Sequence, residues 1–306
     1  MSDVPDRTMQ MLSTALGLEE KGKGFYSKAV STCHNAVGKE IFRMLMKDEV
    51  VHMDRIRQIY KRLEAGESWS DEWKSIQPDH KELSTLFREV ASAHGREVTS
   101  GAGDIEAIDV GIEMADRART NGTVMIASGE MGIGNTTPSS AVFSALLPAD
   151  VIDVTGRGTG LDEDGLKHKV DVIKMALKNN QAYINDPIST LAAVGGLEIA
   201  AICGLCLGGA ALRMIVVVDG FISSAGALVA MRLNPTVKDY LFFSHQSFEK
   251  GHRAFFEKEG LRPILDLDLR LGEGTGAALG MQLIEDSVRI YDEMATFKEV
   301  GIEPGA

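Results

Sequence analysis

The spacing of apolar residues changes near residue 100. From residue 8 to about residue 95, apolar residues recur at helical spacing and glycine is scarce, which predicts long helices from about Asp6 to Cys33 and from about Ala36 to Ala65. From about residue 122 onward, short apolar runs alternate with glycine-rich turns and helical segments. The pattern therefore predicts two parts, a helical segment over residues 1–100 and an α/β domain over residues 101–306.

The α/β part contains short apolar runs that predict buried strands. These runs are Thr123–Ala127, Val151–Val154, Met214–Val218, Leu241–Ser244 and Pro263–Leu267. Their alternation with helices is typical of a parallel, doubly wound sheet with covering helices, in which ligands bind beyond the C-terminal ends of the strands. Turns rich in glycine or polar residues follow the strands there: GEMGIGNTT (129–137), GRGTG (156–160), DGF (219–221), SHQS (244–247) and LGEGTGA (271–277).

Two acids lie inside these glycine-rich turns, Glu130 and Glu273. A turn between a strand and a helix presents free N–H groups to a phosphate, and Lys169 supplies a cation on the helix after GRGTG. Each acid alone fits a capping or ribose-binding role, and Lys169 alone fits a solvated helix position. Together the groups predict a phosphorylated substrate and acid–base chemistry, while His245 is open between a core residue and a ligand.

Composition and charge restrict the class of protein. A net charge of −12 argues against a nucleic-acid partner. The polar N-terminus has no signal-peptide core and the apolar run Ile199–Leu212 is too short to cross a bilayer, so we expect a cytoplasmic protein without a membrane partner. Cys203 and Cys206 form a CxxC pair inside that apolar run, where buried, inert thiols are the expected state.

The turns, taken in order, closely resemble the nicotinate-nucleotide–dimethylbenzimidazole phosphoribosyltransferase family from about Ile105 to the end. The motifs that carry the resemblance are GEMGIGNTTPSSA, TGRGTGLDEDGLKHKV, DPISTLAAVGGLEIAAICG, VVDGFISSAGAL, SHQSFEKGHR and LDLDLRLGEGTGAAL. The resemblance implies transfer of the phosphoribosyl group of nicotinate mononucleotide to 5,6-dimethylbenzimidazole in cobalamin lower-ligand synthesis, giving α-ribazole 5′-phosphate and nicotinate. It also implies a homodimer that needs no cofactor.

The resemblance also assigns roles to residues. Glu273 matches the catalytic base that takes the benzimidazole proton, and Glu130 matches a second functional acid near the ribose. The implied substrate-binding residues are Gly132, Gly134, Asn135, Thr136, Gly156, Arg157, Gly158, Lys169, Asp219, Gly220, Ser247 and Leu271.

One section of that family is not found in this sequence. The family has a longer section before GEMGIGNTT, with an Asp-His-Gly turn that helps to wall the benzimidazole pocket, and this sequence has no Asp-His-Gly. We therefore expect that the aromatic acceptor binds poorly and that activity is weakened or lost, unless another part of the fold replaces this wall. The alternative is a truncated, catalytically weak relative that binds the nucleotide.

The helical segment resembles the first helix pair of the rubrerythrin and ferritin-like di-iron proteins over about residues 8–65. Glu49 and His52 form an ExxH, whose side chains share one helix face, and Glu19 lies on the preceding helix. The resemblance implies iron as an alternative cofactor, with a di-iron site completed across a dimer by doubling Glu19, Glu49 and His52. The other interpretation is that these residues are partly solvated positions on a packing element.

Overall fold

The structure is a computed structural model, and it describes residues 4–32, 36–65, 102–158, 160–270, 272–297 and 299–301. Contacts within the chain divide it into two compact units, Met1–Val98 and Thr99–Ala306. Of the helices described, none combines the length and the apolar character needed to cross a membrane.

The first unit contains a pair of long helices, α1 (Val4–Thr32) and α2 (Ala36–Glu64), which pack against each other. Leu45 and Met53 of α2 are buried, and the rings of Tyr26 and Phe42 stack with their centroids 6.4 Å apart. Both helices lie within two residues of the bounds that the apolar spacing predicts.

The second unit alternates helices with short strands. In chain order its elements are α3 (Ala102–Thr120), β1 (Met125–Ala127), α4 (Thr136–Leu146), α5 (Glu163–Asn179), α6 (Pro187–Val194), α7 (Leu197–Ala211), β2 (Ile215–Val218), α8 (Phe221–Leu233), a short 3₁₀ helix (Pro235–Tyr240), β3 (Leu241–Phe243), β4 (His245–Ser247), α9 (Lys250–Glu259), β5 (Leu265–Leu269) and α10 (Thr275–Glu293).

The strands are parallel and follow one another in chain order. β1, β2 and β3 pair in that order, with Ile126 opposite Val216, and β4 pairs with β5. The Ile264 N–H donates to the Phe243 carbonyl at 2.9 Å, so β5 continues the sheet beyond β3. The predicted parallel α/β fold is confirmed. The reversal of strand order that defines a doubly wound sheet does not occur among the strands described here.

Helices cover both faces of this sheet. A Cβ at Gly209 of α7 would overlap the side chain of Val216, whereas a Cβ at Gly280 of α10 would lie 3.6 Å from Val217. Because successive residues of a strand point to opposite faces, α7 and α10 lie on opposite sides of β2. The core extends outward from α7 and α8 to a cluster of phenylalanine rings that includes Phe143 and Phe221, whose centroids are 4.9 Å apart.

α3 and α7 approach each other unusually closely. A Cβ at Gly111 of α3 would overlap the Ala201 carbonyl oxygen, and a Cβ at Gly204 of α7 would overlap the Ile108 carbonyl oxygen. The absence of a side chain at these two glycines is therefore what allows the helix backbones to touch. This contact fixes α3 against the sheet and explains why the small-residue run in α7 is buried.

Two local predictions from the apolar pattern are wrong. Val151–Val154 is a turn, in which the Asp153 N–H donates to the Asp150 carbonyl at 2.9 Å. Val151 and Val154 are buried while Ile152 is exposed, which is the spacing of a turn rather than the alternation of a strand. Conversely, His245–Ser247, predicted as a turn, is strand β4.

Candidate functional site

Glu130 organises the turn that follows β1. Its Oε2 atom accepts hydrogen bonds from the Gly132 backbone N–H at 2.5 Å and from Asn135 Nδ2 at 2.7 Å. Gly132 and Gly134 have φ of +77° and +79°, a left-handed conformation that glycine adopts without strain. The carboxylate is therefore fixed inside the turn rather than free in solvent.

Burial alters the acidity of Glu130. Desolvation, the largest cause, raises its pKa above the ordinary value of 4.5, and the negative charges of Asp219 and Glu198 act in the same direction. The hydrogen bonds from Asn135 and Gly132 oppose that shift because they favour the charged carboxylate. Glu130 is thus a stronger proton acceptor than a solvated glutamate.

The turn that carries Glu273 lies directly against the turn that carries Glu130. The Glu273 backbone N–H donates to the Glu130 carbonyl at 3.0 Å. Glu273 has φ +57° between two left-handed glycines, Gly272 at +74° and Gly274 at +82°. A left-handed conformation costs a non-glycine residue about 1–2 kcal/mol, and such strain is characteristic of functional positions. The fold therefore brings the two acid-bearing turns together, although they are far apart in sequence.

Asp219 lies beneath the Glu273 turn and is buried at the end of β2. Its Oδ1 accepts the Ala277 N–H at 2.8 Å and its Oδ2 accepts the Gly274 N–H at 3.2 Å. Its own carbonyl accepts the Ser244 hydroxyl at 2.9 Å. Asp219 thus connects the end of β2 to the first turn of α10 through its carboxylate and to the end of β3 through its backbone carbonyl.

Lys169 is the centre of a second cluster, next to the first. This buried side chain on α5 donates from Nζ to Thr136 Oγ1 at 2.9 Å and to the Gly156 carbonyl at 3.0 Å. Burial is the main cause that lowers its pKa, and the charge of Glu249 opposes this. Asn135 contacts Glu130 and Thr136 contacts Lys169, so two consecutive residues join the acid cluster to the cationic cluster.

Comparison with known proteins gives this arrangement a family. The family model described as Phosphoribosyltransferase matches residues 96–302, which is more than half of the chain. The chain belongs to this phosphoribosyltransferase family. The resemblance that the motifs predict is confirmed over the α/β part.

Individual phosphoribosyltransferases are similar over the same part of the chain. The nicotinate-nucleotide–dimethylbenzimidazole phosphoribosyltransferase of Chlorobaculum tepidum is 58% identical over 198 residues, 65% of this chain and 56% of that protein. The protein of the same name from Geotalea uraniireducens is 57% identical over 201 residues, 66% of this chain and 57% of that protein. The solved structure of CobT from Thermus thermophilus superposes with a TM-score of 0.63 at 45% identity, covering 66% of this chain and 60% of that one. The chain thus spans little more than half the length of these relatives.

Three other residues predicted to bind substrate lie in the second unit. Arg157 is about half-exposed and pairs with Glu163, and Gly220 precedes α8 next to His245. The Ser247 N–H donates to His252 Nδ1 at 2.9 Å. Leu271 lies outside the described residues.

The two histidines near this site are core residues of the phosphoribosyltransferase fold. His245 is buried next to Ser244 Oγ, 3.0 Å from its Nδ1, and burial lowers its pKa against the opposing charge of Asp219. His252 lies in α9 and is fully buried. Its Nδ1 accepts the Ser247 N–H, so its Nε2 carries the proton and donates to Ser224 Oγ at 2.9 Å.

Sequence reasoning missed two acids near the site, Glu249 and Glu198. Glu249 immediately precedes α9, and burial raises its pKa while Lys169 and the Gly158 N–H lower it. Glu198 lies in the first turn of α7 and acts on Glu130 through its charge. The signal for Glu198 is the Gly195–Gly196 pair before α7, which resembles the other glycine-rich turns. Glu249 has no comparable signal in the sequence.

The three residues predicted as metal ligands are grouped in the first unit. The ligand atoms of Glu19, Glu49 and His52 all lie within 4.8 Å of one another. His52 Nδ1 is 3.3 Å from Glu19 Oε2 and 3.7 Å from Glu49 Oε2. A Cβ at Gly22 would come within 2.6 Å of Glu49 Oε1, so the glycine leaves room for this carboxylate between the helices.

Proposed function

We propose that the chain transfers the phosphoribosyl group of nicotinate mononucleotide to 5,6-dimethylbenzimidazole, forming α-ribazole 5′-phosphate and releasing nicotinate. The observation that carries the proposal is the 3.0 Å backbone hydrogen bond from Glu273 to Glu130, which holds two acid-bearing turns together beside the buried Lys169 cluster. The phosphate and the reacting carbon of one nucleotide would then face a cation and two carboxylates at once.

Each group has a role in this reaction. Lys169 and the turns at 132–136 and 156–158 bind the ribose phosphate, through backbone N–H groups other than those of Gly132 and Gly158, which donate to Glu130 and Glu249. One benzimidazole nitrogen attacks C1′ as the glycosidic bond to nicotinate breaks, and the pyridine nitrogen keeps the electron pair of that bond. Glu273 takes the proton from the other benzimidazole nitrogen, and Glu130 stabilises the positive charge that develops on the ribose. The attack inverts the configuration at C1′.

The substrates and the assembly belong to the same proposal. The partners are nicotinate mononucleotide and a benzimidazole, and the active species is a homodimer with no cofactor in the transfer. The α/β domain of residues 101–306 carries the site. The similarity covers 56–57% of the length of the relatives, and the family's section that helps to wall the benzimidazole pocket lies outside it. We therefore expect acceptor binding to be the weakest step.

Nicotinate release on mixing the donor and the benzimidazole tests this function. A general base contributes roughly 10²–10⁴-fold, so we expect Glu273→Gln to lower kcat by at least about 100-fold. Glu257→Gln, at an exposed position on α9, is the matched control and keeps the parent rate. Absence of turnover in the parent, with Glu273→Gln indistinguishable from it, counts against the transferase.

Calorimetry separates binding of the donor from completion of the reaction. Nicotinate mononucleotide that binds without forming α-ribazole 5′-phosphate would identify the chain as a nucleotide-binding relative with weak catalysis. Loss of this binding in Lys169→Met, with the fold intact by circular dichroism, locates the nucleotide at the Lys169 cluster. Unchanged binding in Lys169→Met would place the phosphate elsewhere.

A second candidate function rests on the helix pair of the first unit. Two carboxylates and an imidazole within 4.8 Å form a donor set that suits iron and related divalent metals. We propose that Glu19, Glu49 and His52 bind such an ion, as in ferritin-like proteins. A second copy would supply the doubled ligand set of a di-iron site.

Metal analysis after loading with Fe²⁺ tests this site. We expect bound iron near one equivalent per chain in the parent and a loss of most of it in His52→Gln. His168→Gln, at an exposed position on α5, is the control and should retain the parent's iron. Iron content that is unaffected by His52→Gln would exclude the site. Sedimentation with and without iron shows whether two copies are required.

A further inference from the structure

Glu249 contacts the same turn as Lys169. Lys169 Nζ donates to the Gly156 carbonyl at 3.0 Å. The Glu249 carboxylate accepts a hydrogen bond from the Gly158 N–H, and a Cβ at Gly156 would overlap Glu249 Oε2. The backbone of residues 156–158 therefore contacts both a buried cation and a partly buried anion.

The burial of Glu249 requires a reason. Its Oε2 is fully enclosed and has no hydrogen-bond partner among the described residues. An enclosed carboxylate oxygen without a donor costs free energy unless a nearby positive charge compensates. Lys169 supplies that charge, since each of the two groups shifts the other toward its charged form.

The other charged groups near the turn are paired elsewhere. Lys250, next to Glu249, donates from Nζ to the Ile152 carbonyl at 3.0 Å and contacts Asp153. Arg157, in the turn itself, pairs with Glu163 on α5. Glu249 is therefore the charged group that the structure couples to Lys169.

We propose that Glu249 is a positioning residue of the phosphate site, which holds the turn of residues 156–158 against Lys169 and supplies the negative charge that keeps Lys169 an ammonium ion. This inference depends on the proposed phosphoribosyl site for its consequence in binding. In this proposal Glu249 acts without touching the ligand, because its Oε2 is enclosed and it contacts the backbone of the turn. Its effect reaches the phosphate through Lys169 and through the backbone of the turn.

The first test measures Lys169 without any ligand. ¹⁵N NMR of the lysine side chains, with the Lys169 signal assigned by its absence in Lys169→Met, gives its titration midpoint in the free protein. Glu249→Gln removes a negative charge that favours the protonated form of Lys169, so it should lower this midpoint by about one pH unit. Glu249→Asp keeps the negative charge and should retain most of the parent value. Equal midpoints in the parent and Glu249→Gln would overturn the proposal.

The second test measures the consequence for binding. Calorimetry compares nicotinate mononucleotide with nicotinate riboside, which lacks the phosphate, between pH 6.5 and 9.5. In Glu249→Gln we expect about a tenfold loss of nucleotide affinity at the alkaline end, where a further lowered pKa leaves less of Lys169 protonated, and unchanged nucleoside affinity. An equal loss for both ligands would show a general effect on folding and contradict the proposal. Failure of the parent to bind nucleotide would count against the phosphoribosyl site, whereas the NMR result would still decide the coupling.

Discussion

Replacement of Asp219 tests how the Glu273 turn is held in place. Its carboxylate accepts two backbone N–H groups of that turn and of α10, from Gly274 and from the buried Ala277. Hydrogen bonds to a charged group contribute about 1.5–3 kcal/mol each, and a buried donor left without a partner adds a desolvation cost. Asp219→Ala should therefore lower the free energy of unfolding by roughly 3–5 kcal/mol.

Asp219→Asn should produce a smaller effect. An amide has one acceptor oxygen, so it retains the shorter bond, from Ala277 at 2.8 Å, and its NH₂ group faces the Gly274 N–H. About half of the alanine effect, roughly 1.5–2.5 kcal/mol, is the expected loss. Urea denaturation followed by circular dichroism measures both values. The exposed Asp171→Asn on α5 is the control and should change stability by less than about 0.5 kcal/mol.

The same substitution separates positioning from stability. At 25 °C without urea, Asp219→Asn should be folded, yet the Glu273 turn has lost one of its two anchors to β2. We therefore expect kcat for nicotinate release to fall by about tenfold or more while the KM for nicotinate mononucleotide changes little, since a small misplacement of a catalytic group is costly. Stability of Asp219→Ala within about 0.5 kcal/mol of the parent would refute the reasoning.

Three further substitutions test the core and the acid site. Burial lowers the pKa of His252 from 6.5 to about 3, so between these pH values the unfolded chain binds a proton that the folded chain does not. The parent should therefore lose about 1.4 kcal/mol of stability for each pH unit between pH 6.5 and 3. Urea denaturation should show no such loss in His252→Asn. Gly204→Ala should cost about 1–3 kcal/mol because the new Cβ overlaps the Ile108 carbonyl of α3, whereas Gly103→Ala, with its nearest contact at 3.5 Å, should be neutral. Burial raises the pKa of Glu130 above 4.5, so this group stabilises the folded parent below pH 4.5, and that stabilisation is lost as the pH rises through the pKa of the folded state. Glu130→Gln should therefore gain stability relative to the parent between pH 4.5 and 7.

The sequence predicts most of the helices because their apolar spacing and capping residues are local. Asp162 caps α5 by accepting the Gly165 N–H at 2.8 Å, and Asp186 caps α6 directly before Pro187. The error at Val151–Val154 has a physical origin in its length. Four residues with valine at each end fit a strand or a turn equally well, and tertiary packing decides between them.

The assembly of the site is only partly predictable from sequence. Glycine-rich turns identify Glu130 and Glu273 because glycine is required where φ is positive, as at Gly272 and Gly274. Glu273 itself adopts φ +57°, and a glutamate in the sequence does not indicate that conformation. Its strain is balanced by backbone bonds to Glu130 and by the Asp219 carboxylate, which come from other turns.

The charge coupling between Glu249 and Lys169 could not be predicted from sequence patterns. It follows a strand in a polar stretch, where an acid is ordinarily solvated, and its partner Lys169 is 80 residues earlier in the chain. The two are coupled at the turn of residues 156–158, where Lys169 donates to the Gly156 carbonyl and Glu249 interacts with the Gly158 N–H. A buried lysine and a buried glutamate each shift toward neutrality alone, and each stabilises the charge of the other when folded together. The proposed phosphate site therefore depends on three chain segments, and a single motif indicates only one of them.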